Sequence, residues 1–307
     1  MNYSFTIRPD NNENYVKMAF DAYNNFNDAQ SLINLITTSL AYELCYTNIG
    51  EMGIKIGKYR GKAYFEQDTI FLNERLLENM CKSSFIDLFV CIFHELSHAM
   101  VYKLNSKIFS TKQGAKNFLP VYNYDYMYEI FYSITKDKIF SNNANFYLYL
   151  KNKNEVFARK NSYKICANFF SEFAPQLVKD IPNFEEHENY LIENLYKKYP
   201  YIAGKEEHLI KLIEQFQLNL ISKGLNNLTE KDKAMLISSL VVTFSQKTRD
   251  LLVNECIKSK SKQILTCYLS NPLFCPTKEE FIKLSQVYSE KQLKTLTYTQ
   301  ETIAEIK

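Results

Sequence analysis

Seven glycines and seven prolines in 307 residues leave few points at which the chain is obliged to turn. Average usage is about 7% glycine and 5% proline, so the shortage favours long helices over an all-β architecture with its many tight turns. A hydrophobic fraction of 46% against 23% charged residues belongs to a chain that folds. Its length allows one large domain or two ordinary ones. Tyrosine and phenylalanine (23 and 22 residues) replace tryptophan, which is absent, as the bulky core material.

Charge narrows the partners. The 37 basic and 34 acidic residues are spread along the chain and leave a net +3, so no field of the kind that gathers nucleic acid is expected. The short run Lys258-Ser259-Lys260-Ser261-Lys262 reads as solvated surface. Cys45, Cys81, Cys91, Cys166, Cys256, Cys267 and Cys275 are odd in number and show no C-x-x-C pair, which suggests reduced thiols and neither a disulfide framework nor a cysteine zinc site. Residues 1 to 8 lack an apolar leader core, and no stretch approaches the roughly 18 uninterrupted apolar residues of a membrane span. The expectation is a cytoplasmic protein without membrane partners.

Apolar positions recur at helical spacing between residues 13 and 48, as in Val16, Ala19, Phe20 and Tyr23, then Leu32, Leu35, Ile36 and Leu40. A β-rich stretch comes next. Residues 52 to 57 and 63 to 66 read as strands, and Thr69-Ile70-Phe71-Leu72-Asn73 as the hairpin partner of the second. Ser83 or Ser84 then caps a helix running to about Leu104, with Asp87 at the capping-box position relative to Ser84. Residues 106 to 150 look irregular apart from a short helix near 126 to 134. Asn154 is placed to cap a helix from Glu155 to about Phe173, closed by Pro175. Beyond Pro182 the signals are helical, with starts at Thr229/Asp232, Thr277/Glu280 and Ser289/Gln292. The expected fold class is α+β and predominantly helical, with a mixed part at 1–182 and an all-helical part at 183–307.

The chemistry lies in His94-Glu95-Leu96-Ser97-His98. Residues four apart on a helix project from one face about one turn apart, so both histidines can reach a single metal ion. That spacing suits zinc. Glu95 is placed to act as general base on a zinc-bound water, whose pKa such a site lowers to about 7. Chance would give the H-E-x-x-H pattern in well under about one in a hundred chains of this composition, and here it takes two of only four histidines.

These residues resemble the zincin metallopeptidases. In that superfamily a small sheet, whose edge strand borders the substrate cleft, precedes the active-site helix, and Thr69–Asn73 followed by His94–His98 is similar to that order. The metzincin branch would place Gly at 101 and His at 104, where this chain has Val101 and Leu104. The resemblance therefore implies the gluzincin branch, with a glutamate on a later helix as third ligand. Glu155, with Ala158 on the same helical face, is the candidate, followed by Glu129 and Asp125. For the oxyanion-stabilising group the resemblance implies a Tyr or His, and His187, His208, Tyr163 and the tyrosines of residues 121 to 128 stay open. The function expected from this resemblance is that of a zinc-dependent peptidase acting on a protein or peptide substrate. The alternative is a non-catalytic interaction or regulatory protein on the same scaffold, which the intact Glu95 argues against.

Overall fold

The computed structural model describes residues 2–23, 28–47, 49–59, 61–66, 68–78, 80–108, 122–240, 246–260, 277–289 and 293. Cys267, Cys275 and Gln292 lie outside them, as does most of the stretch 106 to 121; the five described cysteines are free thiols.

The described residues are predominantly helical with one small sheet, an α+β arrangement. In chain order they form β1 (Tyr3–Ile7), α1 (Glu13–Ala22), α2 (Ala29–Thr47), β2 (Met52–Gly57), β3 (Ala63–Glu66), β4 (Thr69–Asn73) and α3 (Lys82–Ile108). Then come α4 (Tyr124–Thr135), α5 (Lys138–Lys151), α6 (Lys153–Phe173), α7 (Phe184–Lys198), α8 (Glu206–Ser222), α9 (Glu230–Leu240), α10 (Gln246–Ser259) and α11 (Lys278–Ser285).

The sheet order is β1-β2-β4-β3, with β2 and β4 parallel and the other two pairs antiparallel. The expected hairpin forms, turning through Asp68 at φ 59°, a left-handed conformation that aspartate tolerates. Its second strand is not at the edge. Because β2 pairs with β4 on the far side, the hairpin's first strand, β3, is left as the border. Tyr3, Phe5 and Ile7 of β1 alternate with polar residues and register against Ile56, Ile54 and Met52. This strand is additional to those expected from the sequence, although its period of two is visible there.

The chain divides into two compact units, residues 1–104 with 156–190 and residues 105–155 with 191–307. This division differs from a linear boundary near 182. Segment 105–155 supplies α4 and α5, whose Met127, Ile130, Phe131, Tyr147 and Leu148 share a core with Leu195, Leu209 and Ile213 further on. The helix α5 also replaces the irregular chain expected there. Its asparagines disfavour a helix, but Asn145 is fully buried and receives the Tyr122 hydroxyl at 2.7 Å while donating to the Tyr124 carbonyl at 2.8 Å. In the same unit α10 and α11 close a second core through Leu252, Val253, Phe281 and Leu284, and Thr277 with Glu280 makes the expected capping box.

In the first unit the inner sheet face and α1, α2, α3 and α6 enclose an aromatic core. Phe85, Phe89 and Phe93 form a stripe on α3 and meet Phe169 and Phe170 of α6 at centroid distances of 5.3 to 6.0 Å. Among the described helices α3 alone is long and apolar enough to cross a membrane, and its apolar stripe lies in this core. The helix starts earlier than expected. Ser84 is inside the first turn, its hydroxyl accepting from the Cys81 backbone N–H at 2.8 Å, so it is not the residue that precedes the helix.

Near the other end of α6, Glu172 accepts hydrogen bonds from Tyr42 of α2 at 3.0 and 3.1 Å, and Tyr46 donates to Tyr42 at 3.0 Å. Burial, reinforced by the charge of Glu172, pushes the neighbouring Glu43 carboxyl up from 4.5 to about 7. The folded protein thus holds a proton that the unfolded chain releases near 4.5, so this stabilisation is complete below that value and is lost as pH rises through about 7. The shift corresponds to about 3 kcal/mol at most. Glu43→Gln is therefore expected to raise the melting temperature above about pH 8 and to leave it nearly unchanged near pH 4. Equal effects at both pH values in thermal melts would contradict this origin.

Candidate metal centre

Successive residues on a helix are turned by about 100°. Phe93 faces the aromatic core, so the next residue, His94, and His98 one turn on come to its rim, where both are half-buried. Their Nε2 atoms lie 3.1 Å apart with the rings perpendicular. Two nitrogens bound to one tetrahedral ion at about 2.0 to 2.1 Å each would stand about 3.3 Å apart, so the rings already hold nearly the spacing that a shared ion requires.

Glu155 completes the group. It sits on the first turn of α6, buried to 6% exposure, and one of its carboxylate oxygens and a nitrogen of each histidine all fall within 4.8 Å of one another. The division between units falls immediately after Glu155, within a helix that continues unbroken to Phe173. The residue that caps this helix is Asn152 and not Asn154. Its side-chain oxygen accepts from the backbone N–H groups of Asn154 at 3.0 Å and Glu155 at 3.2 Å. Its place on the first turn puts the Glu155 carboxyl at the positive end of the helix dipole. Ala158, one turn along, is fully buried and adds no bulk on that face.

Two imidazoles and one carboxylate make a donor set that can hold a metal ion. The other carboxylates considered from the sequence lie elsewhere. Glu129 is paired with Lys231 at 2.9 Å on the surface of the second unit, and Asp125 is exposed on the first turn of α4. Glu95 is buried at 6% exposure directly after His94. The face of α3 that runs back from it carries Cys91, whose thiol burial pushes up to about 11.

Several contacts around the centre are invisible to sequence reasoning. Asn161 of α6 donates to the buried Ser97 hydroxyl at 3.0 Å, and Ser97 donates to the Phe93 carbonyl at 2.7 Å. Arg159, one turn after Glu155, makes a bidentate pair with Glu188 of α7 at 2.6 and 3.0 Å, both side chains largely buried. The oxyanion candidates separate by environment. Tyr163 packs on His187 with ring centroids 5.8 Å apart, and burial, then Asp87 and Glu188, push its phenol up to about 12. Tyr122 commits its hydroxyl proton to Asn145, while Tyr124 and His208 are exposed.

No family model, curated protein or solved structure matches this chain.

Proposed function

We propose that this chain is a zinc-dependent peptidase of the zincin kind, with His94, His98 and Glu155 as the metal ligands and Glu95 as general base. The observation that carries this reading is the convergence of those three donor atoms within 4.8 Å. A two-histidine, one-carboxylate set leaves a position open in a four-coordinate site, the arrangement of catalytic rather than structural zinc. When bound there, zinc supplies Lewis acidity and lowers the pKa of water to about 7.

The chain's own residues account for the remainder. The helix α3 presents the two histidines at a fixed spacing, and α6 brings the Glu155 carboxylate to them. The buried Glu95 would accept a proton as the attacking water's oxygen bonds to the peptide carbonyl carbon, and would deliver that proton to the amine nitrogen as the C–N bond breaks. An extended peptide would be aligned by main-chain hydrogen bonds along the border strand β3. That strand reaches α3 beyond His98, where Phe65 meets Tyr102 with ring centroids 5.9 Å apart.

The test is metal analysis of protein purified without chelator, followed by hydrolysis of a mixed peptide library. The expected result is close to one zinc per chain and cleavage that a chelator abolishes and added zinc restores. Metal-free protein that takes up no zinc on titration would overturn the reading, whereas zinc-loaded protein that cleaves nothing would leave a metal-bearing interaction protein.

A further inference from the structure

The three donors come from two helices, α3 and α6, whose shared surface is mostly aromatic. Apolar contacts set how far apart two helices lie but are weakly directional along their axes, and a hydrogen bond fixes that register more sharply. A metal ligand needs its register held to about half an ångström. On the centre's side of this interface the hydrogen bond from Asn161 to the buried Ser97 hydroxyl meets the requirement.

Resting on the metal-centre reading above, we propose that Asn161 and Ser97 form a positioning tie that sets the register of Glu155 against the two histidines. Ser97 lies within the motif, between the histidines, and is fully buried. Its hydroxyl has two partners: it donates to the Phe93 carbonyl at 2.7 Å and accepts from the Asn161 amide at 3.0 Å. The same amide reaches the Met100 sulfur at 3.6 Å, so Asn161 grips α3 on both sides of His98. Asn161 follows Glu155 by six residues, about 9 Å along the helix axis, and the fully buried Ala158 between them keeps the helices free to approach. From the opposite side, the Arg159–Glu188 pair anchors the same turn of α6 to α7. Asn161 touches neither metal nor substrate; it acts through Glu155.

The substitution Asn161→Ala tests this, because it leaves Ser97 its bond to Phe93 and strands no buried hydroxyl. Zinc affinity is measured by competition titration on the full chain, with cobalt(II) absorption as a second report on the coordination sphere and melting of the metal-free protein as the control. The expected result is zinc binding weakened about tenfold to a hundredfold, the usual cost of losing a supporting partner of a ligand, with metal-free melting close to wild type. Ser97→Ala, which breaks the tie from the other side, is expected to do the same. A purely structural bond would lower the melting temperature without touching affinity. The decisive comparison is made in a Glu155→Gln background: if Asn161 acts through Glu155, its removal there is expected to cost less than about twofold more, because the two losses are not additive. Wild-type affinity in both folded variants, or an equal loss with and without the Glu155 carboxylate, would overturn the tie while leaving the metal centre in place. A wild-type chain that binds no zinc would overturn both.

Discussion

Replacing Glu95 by glutamine is expected to lower peptide hydrolysis by at least about a hundredfold, the low end for loss of a general base, while zinc content and melting temperature stay near those of the wild type. The basis is shape. Glutamine keeps the volume of the buried Glu95 side chain and its ability to hydrogen bond, but its amide cannot accept a proton at neutral pH. His94, next to it, keeps its ring nitrogen within 3.1 Å of that of His98. Activity and metal content should therefore part company. They are measured on the same preparation, by peptide cleavage and by elemental analysis, and a glutamine variant that cleaves as fast as the wild type would end the proposed role of Glu95.

The second large effect is loss of the metal itself. The variant with both His94→Ala and His98→Ala is expected to fall from about one zinc per chain to background, because a single carboxylate cannot replace the three protein ligands usual for catalytic zinc. Glu155→Ala is expected to fail differently, keeping the histidine pair and so a weakened site. Its zinc would be lost to a chelator that the wild type withstands. Equal zinc in the wild type and the double-alanine variant would show the motif to be accidental. Undiminished affinity in Glu155→Ala would remove that carboxylate from the ligand set and return the role to another acid.

Much of this centre is legible in the order of residues, because its information is local. The His94–His98 spacing is a property of one helix, and the strand pattern before it needs only alternation of apolar and polar residues. Glu155 is within reach as well, being an acid at the start of a helix with a small residue one turn on. The illegible parts depend on partners distant in sequence. Nothing in the neighbourhood of Asn161 points to Ser97, which is 64 residues away, and nothing near Arg159 points to Glu188. The helix Lys138–Lys151 escapes sequence reasoning because local propensity counts Asn143 and Asn145 against a helix, whereas their hydrogen bonds with Tyr201 and Tyr122, the second of them buried, outweigh that preference. The cap at Asn152 is hidden for a smaller reason: two asparagines stand two residues apart, and only backbone geometry chooses between them.

The excursion from His98 to Glu155 has a thermodynamic side. An ion bound jointly by these residues would cross-link positions 57 apart in the chain, closing a loop that contains all of α4 and α5. Loop-closure entropy for a covalent link of that span is worth about 4 kcal/mol, and a coordination bond that survives unfolding of the rest would draw on the same source. The ion would then be a stitch as well as a reagent, limiting how far the unfolded chain can expand. Where zinc is scarce, the chain would lose the proposed chemistry and part of its stability at the same moment.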